Sequence, residues 1–381
     1  MSRRAPQTTP LDPGTLRARL DRARQAAARA ETDALLIAPG SDLSYFLGEA
    51  GGSFERLTAL VLPAGDGAPA LVVPKLEAPG YAHVPADELG IEIVTWVDGE
   101  DPYRMVAARL GRPGRVAVSD NTAALHVLAF RDALGDAEQT LAGPVVRELR
   151  MRKDPAEIAA LRAAGEAIDR VHARMGEWLR PGRTEAEVGA DITAAIVEEG
   201  HTHADFVIVG SGPNGASPHH DVSARVIEPG DVVVIDIGGP IASGYNSDST
   251  RTYSVGEPRD ADVTDTYAVL QRAQQAAVQA VRPGATAEQI DAAAREIITD
   301  AGFGEYFIHR TGHGIGLDVH EEPYIVGGNT LPLEAGMAFS VEPGIYQPGR
   351  WGARIEDIVV VTDTGVDPLN NRPHDLVVLG S

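Results

Sequence analysis

An internal repeat in the second half of the chain restricts its fold more than any other feature. The segment Arg-Pro-Gly-Arg-Thr-Glu-Ala-Glu-Val at 180–188 matches Arg-Pro-Gly-Ala-Thr-Ala-Glu-Gln-Ile at 282–290, at a constant offset of 102 residues. Each copy has a helical pattern on both sides of its turn. Each second helix begins with a capping box and stops at a glycine: Thr184, Glu187 and Gly200 in one copy, and Thr286, Gln289 and Gly302 in the other. Because apolar, strand-like segments follow both copies, we predict a duplicated helix pair that covers a β-sheet.

A strong helix start marks the beginning of the domain that contains the repeat. Asp154 is suited to be the N-cap, Pro155 the first helical residue, and Glu157 the residue that completes a capping box. Apolar residues then keep helical spacing from Ile158 to Trp178, which corresponds to about six turns. We therefore predict a second domain at 151–381.

The first 150 residues alternate short apolar runs with helical patterns, which predicts an α/β domain at 14–150. The predicted strands are Ala34–Ile37, Thr58–Leu62, Ala70–Val73, Ile91–Val97 and Arg115–Val118. The predicted helices are Thr15–Ala28, Tyr103–Leu110 and Thr122–Leu134. Residues 1–13 are rich in proline, threonine and arginine, and we predict that they form a disordered tail.

Composition excludes several classes of function. A chain of 381 residues with 43% hydrophobic residues can build two cores, and its net charge of −22 disfavours nucleic acid and anionic lipid as partners. The absence of cysteine removes disulfides, thiolate catalysis and cysteine-bound zinc. No apolar stretch follows the N-terminal arginines as in a signal peptide, and no apolar run reaches membrane-spanning length. We expect a cytoplasmic protein.

Five polar residues of the second domain interrupt glycine-rich or strand-like segments: Asp236, Asp248, His313, Glu342 and Glu356. Any one of them alone would more often be a buried acid with a structural partner. Four carboxylates in one pocket cannot all ionise unaided, because like charges raise each other's pKa, and two divalent cations would balance them. A carboxylate-rich site with one histidine suits Mn²⁺, or less selectively Co²⁺ and Zn²⁺. Whether the five residues converge is left open by the sequence.

The five segments resemble those of the pita-bread metallopeptidases, the family of methionine aminopeptidase, aminopeptidase P and prolidase. The order Asp, Asp, His, Glu, Glu is similar to the ligand set of that family at every position, and the duplicated helix pair resembles its pseudo-twofold architecture. The N-terminal domain resembles that of the creatinase-like branch, within which the chain looks most similar to prolidase-type dipeptidases. The resemblance implies an α/β N-terminal domain and an α+β catalytic domain, with helix pairs over a curved, mainly antiparallel sheet.

The resemblance also implies a role for each residue. Asp236 would chelate one metal ion, His313 and Glu342 would complete the second, and Asp248 and Glu356 would bridge both. Four further residues would line the substrate pocket and stabilise the tetrahedral intermediate: His219, His309, His320 and Arg354. His220 stands where the family more often has glycine, so whether His219 or His220 faces the pocket is left open.

The implied reaction is hydrolysis of the Xaa-Pro bond of dipeptides by two divalent metal ions, with Mn²⁺ as the expected metal. Glu342 is the candidate that takes a proton from water and passes it to the leaving amine. Arg354 is suited to hold the free carboxylate of a dipeptide, because its planar fork can bond both oxygens. The alternative is an aminopeptidase P that removes the N-terminal residue of longer peptides. A metal-free binding module is disfavoured because all five ligand positions are intact. We expect a homodimer whose partner is a small peptide substrate.

Overall fold

The computed structural model describes residues 12–52 and 55–380, which form two compact units divided between Arg150 and Met151. Most of the predicted disordered tail at 1–13 lies outside the described residues. Asp12 and Pro13 belong to a helix start instead, so the prediction is wrong for these two. Asp12 caps the helix by accepting a hydrogen bond from the Thr15 amide at 3.1 Å. Pro13 fits the first helical position because its missing N–H would have no partner there.

The first unit is built on a six-stranded mixed sheet. Its strands are β1 (Ala34–Ile37), β2 (Ala59–Pro63), β3 (Ala70–Pro74), β4 (Glu92–Trp96), β5 (Arg115–Val118) and β6 (Glu138–Leu141). Its helices are α1 (Pro13–Arg29), α2 (Ser41–Leu47), α3 (Ala86–Leu89), α4 (Pro102–Leu110), α5 (Ala124–Leu134) and α6 (Gly143–Met151). The strand order is β4-β3-β2-β1-β5-β6, with β2 antiparallel to both of its neighbours and the other pairs parallel. The predicted α/β character of this part of the chain is confirmed.

Four of these elements, α2, α3, β6 and α6, were not predicted. The edge strand β6 has the sequence Glu-Gln-Thr-Leu, in which no apolar alternation can be read, and all four of its residues are at least partly exposed. The helix α6 begins with Gly143 and Pro144, residues that are more typical of turns. In both cases the tertiary context determines the structure, since the local signal is weak.

The second unit contains two larger sheets, one β-hairpin and two helix pairs. Its strands are β7 (Phe206–Ser211), β8 (Val232–Pro240), β9 (Asn246–Val255), β10 (Gly312–Gly314), β11 (Glu321–Ile325), β12 (Ala338–Val341), β13 (Gly344–Gln347), β14 (Trp351–Arg354), β15 (Asp357–Val361), β16 (Val366–Pro368) and β17 (Val377–Leu379). Its helices are α7 (Pro155–Ala173), α8 (Met175–Trp178), α9 (Glu185–Glu198), α10 (Val263–Ala280) and α11 (Ala287–Asp300). The sheets have the orders β17-β9-β8-β7 and β11-β10-β12-β15-β16. Every pair among these strands is antiparallel except β17 with β9, so the mainly antiparallel sheet is confirmed.

The predicted repeat is present as a structural repeat. Helices α9 and α11 have 14 residues each and begin 102 residues apart, and in both the side chain of the third helical residue, Glu187 or Gln289, accepts a hydrogen bond from the amide of the N-cap threonine. Gly200 and Gly302, one residue beyond each C-cap, have positive φ angles of 120° and 87°, which glycine adopts without the strain of a Cβ. Each helix pair has its own core. The apolar face of α9 packs with β7–β9, and that of α11 packs with β12 and β15.

The apolar residues with helical spacing from 158 to 178 belong to two helices and not to one. The helix α7 ends at Ala173, and the one-turn helix α8 follows from Met175. Arg174 is the residue between them. Its amide donates to the Val171 carbonyl at 3.0 Å, three residues back, which tightens the last turn and breaks the α-helical ladder. Apolar spacing continues through the break because Trp178 is still buried, and this is why the sequence pattern conceals it.

His172 joins α7 to the strand β9. Its Nδ1 lies 3.0 Å from the Tyr253 hydroxyl and its Nε2 lies 3.1 Å from the Ser249 carbonyl oxygen, with the two rings stacked. Burial, with the positive charge of Arg251 added, lowers the pKa of His172 to about 3. The neutral imidazole therefore anchors the strand that carries Asp248. No helix in the described part of the chain combines the length and apolar character needed to cross a membrane.

This buried histidine predicts a loss of stability as the pH falls. Between the ordinary pKa of 6.5 and the lowered value of about 3, the unfolded chain binds a proton at His172 that the folded chain does not. The contribution of neutral His172 to the free energy of unfolding is therefore fully present above pH 6.5. It decreases by about 1.4 kcal/mol per pH unit as the pH falls from 6.5 to about 3. We expect His172→Gln to be less stable at neutral pH but to show a shallower pH dependence, measured by urea unfolding of metal-free protein. His203→Gln, at a largely exposed side chain, is the control, and equal slopes for His172→Gln and wild type would contradict the assignment.

Candidate active site

The five predicted ligand residues are placed by neighbouring strands of the second unit. Asp236 lies within β8 and Asp248 within β9, in a hairpin where Asp248 pairs with Gly238. His313 is the central residue of β10. Glu342 directly follows β12, and Glu356 lies between β14 and β15. Each polar side chain thus interrupts an otherwise buried strand or strand end, as the sequence pattern indicated.

The structure brings all five side chains together. His313 Nε2 lies 3.6 Å from a carboxylate oxygen of Asp248 and 3.3 Å from one of Glu342. Two overlapping groups, His313 with Glu342 and Glu356, and Asp236 with Asp248 and Glu356, each have ligand atoms within 4.8 Å of one another. His320 joins a third group with Asp248 and His313 at the same limit. The convergence that the sequence left open is therefore observed.

Two glycines permit the close packing around His313. A Cβ on Gly312 would collide with the Ser340 carbonyl oxygen of β12, and one on Gly314 would collide with the Glu322 carbonyl oxygen of β11. Because neither position has a side chain, the strands approach closely enough for His313 to reach the carboxylates. This explains the Gly-His-Gly sequence.

Burial and mutual repulsion oppose the ionisation of the acids in this cluster, even though Arg354 pairs with Asp236. Burial, followed by the charges of neighbouring acids, raises the pKa of Asp248 and that of Glu356 well above their usual range. Burial also raises the pKa of Glu342 to about 7, and it lowers that of His313 to about 3, so the imidazole is neutral. Three buried carboxylates and the partly buried Glu342, beside one neutral imidazole, form the donor set of a site for divalent cations.

Two buried oxygen atoms indicate whether cations fit this cluster of side chains. Asp236 Oδ1 and Glu356 Oε1 are buried and accept no hydrogen bond from any described residue. The second oxygen of each acid does have a partner: Arg354 Nη2 donates to Asp236 at 2.5 Å, and Thr250 Oγ1 donates to Glu356 at 2.8 Å. Leaving a buried carboxylate oxygen without a donor is costly, and a metal ion would satisfy both. The residues present therefore fit a metal centre.

A cavity of about 920 Å³ opens onto this cluster. All five predicted ligands and all the predicted pocket residues line it, including both His219 and His220. His320 packs its ring against that of His313, with 3.9 Å between the ring centroids. The sequence-predicted site residues thus belong to one cavity, which is large enough for a peptide of several residues.

His220 and His219 differ in how they are held. His220 Nε2 lies 2.7 Å from the carboxylate of Glu185, the first residue of α9. Glu185 is fully buried and also accepts hydrogen bonds from Ser211, Asn214 and Ser223, so it fastens the whole loop that carries the two histidines. His219 has no hydrogen bond to another described residue. His220 is therefore an anchor of the loop, and His219 is the histidine available to a substrate.

Arg354 donates its hydrogen bonds to protein atoms. Its Nη2 pairs with Asp236, its Nε donates to Thr250 Oγ1 at 3.0 Å, and its Nη1 donates to the Tyr346 hydroxyl at 2.7 Å. The Tyr346 hydroxyl in turn lies 2.9 Å from Nε2 of His309, whose Nδ1 donates to the Arg310 carbonyl oxygen at 2.7 Å. A neutral His309 then accepts from Tyr346, which fixes its tautomer. The expectation that Arg354 receives a substrate carboxylate does not agree with these contacts.

Sequence reasoning missed four residues of the site: Glu185, Thr250, Arg310 and Tyr346. Glu185 follows a capping threonine and looks like an ordinary first-turn acid. Tyr346 lies in a strand pattern where an aromatic side chain usually belongs to the core. Arg310 had a usable signal, since it lies between His309 and Thr311 in the segment that leads to His313.

Two family models match the chain. The model described as metallopeptidase family M24 matches residues 159–363, and that of the creatinase/prolidase N-terminal domain matches residues 19–152. The probable dipeptidase PepE of Mycobacterium tuberculosis is 60% identical over 362 residues, which are 95% of this chain and 96% of the relative. The Xaa-Pro dipeptidase of Lactobacillus helveticus is 36% identical, over 94% and 98% of the two chains. The crystal structure of dipeptidase PepE from Mycobacterium ulcerans matches with a TM-score of 0.93 at 59% identity, covering 97% of this chain and 99% of that chain.

Proposed function

The chain belongs to metallopeptidase family M24, and we propose that it hydrolyses the bond before proline in dipeptides with the help of two divalent metal ions. The observation that carries the proposal is the convergence of four carboxylates and a neutral histidine in one cavity, with buried oxygens of Asp236 and Glu356 that lack a donor among the described residues. The dipeptidase names of the relatives support the same substrate class.

The metal ions would be held by the five predicted ligands: Asp236, Asp248, His313, Glu342 and Glu356. When bound, two such ions would lower the pKa of a water molecule and polarise the scissile carbonyl group. Hard carboxylate oxygens with one imidazole favour Mn²⁺ within the divalent series. Mn²⁺, the homodimer and the cytoplasmic location stay predictions from the sequence.

Glu342 is the residue to which we assign the proton transfer. Its side chain is 15% exposed, against 5% for Asp248 and 11% for Asp236, so it has the best access to water among these three acids. Ser340 Oγ donates to Glu342 Oε1 at 3.2 Å and orients the carboxylate. Glu342 would take a proton from the attacking water and deliver it to the proline nitrogen, which leaves as a secondary amine. Arg354 holds Asp236 in place, and His219, which lines the cavity, would offer the substrate a hydrogen-bonding group.

Substrate length tests this proposal directly. The cavity volume alone would also admit the longer substrates of an aminopeptidase. We expect a higher kcat/KM for Ala-Pro than for Ala-Pro-Ala at equal Mn²⁺ and pH, because only the dipeptide presents its free carboxylate close to the scissile bond. The measurement is steady-state hydrolysis of both peptides by the Mn²⁺-loaded protein. A tenfold preference for the tripeptide, about 1.4 kcal/mol of transition-state stabilisation, would assign the protein as an aminopeptidase instead.

A further inference from the structure

A dipeptide substrate brings a carboxylate into the cavity, and that carboxylate needs a positively charged partner there. In metal-loaded protein two divalent cations would balance the four carboxylates of the cluster, so the cluster would leave no net positive charge to pair with the substrate carboxylate. Arg354 is occupied by Asp236, Thr250 and Tyr346. The partner must therefore be another permanently charged side chain of the cavity wall.

Arg310 has the contacts of such a partner. It lines the cavity and is partly exposed. Its guanidinium carbon lies 4.4 Å from the ring centroid of Tyr324. Within residues 12–52 and 55–380, its side chain has no hydrogen bond or ion pair. Stacking on Tyr324 covers one face of the guanidinium and leaves its in-plane N–H groups available, and these are the groups that bind a carboxylate through two parallel hydrogen bonds.

The backbone around Arg310 is held rigidly. Arg295 Nη1 donates to the Phe307 carbonyl oxygen at 3.0 Å, and its Nη2 donates to that of His309 at 2.8 Å. Thr311 Oγ1 donates to the buried carboxylate of Asp291 at 2.7 Å. These contacts fix the segment on both sides of Arg310, so its side chain starts from a defined position. A preorganised cation loses less entropy when it binds a substrate.

The stacking partner, Tyr324, also determines where the guanidinium of Arg310 lies. Tyr324 on β11 pairs with His313 on β10. The guanidinium of Arg310 therefore stacks on the residue directly opposite a predicted metal ligand. A dipeptide has only the proline residue between the scissile bond and its carboxylate. One more residue would displace the carboxylate by about 3.5 Å and put a neutral amide in its place.

We propose that Arg310 binds the free C-terminal carboxylate of the substrate and in this way selects dipeptides over longer peptides. The proposal rests on the proposed function and adds the residue that sets substrate length. The carboxylate takes no part in the reaction, so its contact with Arg310 stabilises the ground state and the transition state alike. Loss of that contact should raise KM and leave kcat nearly unchanged.

The test compares Ala-Pro with its C-terminal amide on Mn²⁺-loaded wild type, Arg310→Met and Arg310→Lys. We expect Arg310→Met to lower kcat/KM for Ala-Pro by roughly 10- to 100-fold, the range for losing a hydrogen bond to a charged group. The change for the amide should stay below about 3-fold, since it has no carboxylate to lose. Arg310→Lys should restore part of the loss. Arg282→Met, at an exposed arginine, removes the same charge away from the cavity and should leave both substrates unaffected.

Equal losses for the acid and the amide, a loss confined to kcat, or no loss would overturn the role of Arg310. Calorimetric titration with L-proline and L-prolinamide supplies a second measurement that needs no turnover. Wild type should bind proline more tightly than prolinamide, and Arg310→Met should bind the two equally. If wild type cleaves no Xaa-Pro peptide, the proposed function fails, and the titration still decides whether Arg310 recognises the carboxylate.

Discussion

Glu342→Gln is expected to lower kcat by at least about 100-fold, the lower end of the contribution of a general base. Glutamine has nearly the same shape and can still accept the hydrogen bond from Ser340 Oγ, but its amide cannot take a proton from water. The fold should be retained, because the change removes one negative charge from a cluster in which burial and neighbouring acids oppose ionisation. The measurement is kcat for Ala-Pro, together with metal content by elemental analysis.

Metal content separates the two possible roles of Glu342. If the variant retains its metal ions and loses activity, proton transfer is the function that was removed. If it retains its metal ions and stays near the wild-type rate, Glu342 is not the base. Glu296→Gln, at an exposed residue of α11, is the matched control and should leave kcat unchanged.

The predictable part of the fold follows from signals that are local in the chain. The boxes at Thr184 and Thr286 define where α9 and α11 begin, because a cap is formed by residues three positions apart. The two glycines that end these helices are equally local. The break at Arg174 could not be predicted, since apolar residues continue at helical spacing through it and only the backbone conformation changes.

The residues of the site also differ in whether a local sequence signal or a long-range contact identifies them. Asp236 and Glu356 could be identified because a carboxylate within an apolar strand needs an explanation. The partners of Arg354 could not, since Thr250 and Asp236 lie 104 and 118 residues away in sequence and meet it only in the folded sheet. The choice between His219 and His220 depended likewise on Glu185, 35 residues before His220. Residue type thus indicated which side chains need a partner, and the strand pairing determined which partner each one has.

Removal of metal ions is expected to abolish activity and to restore the repulsion within the cluster. Chelator-treated protein should lose peptidase activity and regain it with Mn²⁺ or Co²⁺. Its melting temperature should fall, because ions that bind only the folded state stabilise it by mass action, by about 4 kcal/mol at a thousandfold excess over Kd. Full activity of exhaustively metal-free protein would contradict the dinuclear centre.

Asp248→Asn provides a sharper form of this test, because the substitution should lower the stability of metal-loaded protein and raise the stability of metal-free protein. In loaded protein, a neutral amide replaces an anionic ligand, so metal content and activity should fall together. In metal-free protein the same change removes a buried acid whose pKa burial and Asp236 raise. Folded metal-free Asp248→Asn should therefore melt above metal-free wild type, by about 2–4 °C per kcal/mol of relieved repulsion. Asp363→Asn, at an exposed turn residue, should change neither state. A variant less stable than wild type in both states would mean that Asp248 stabilises the fold by itself, independently of any cation.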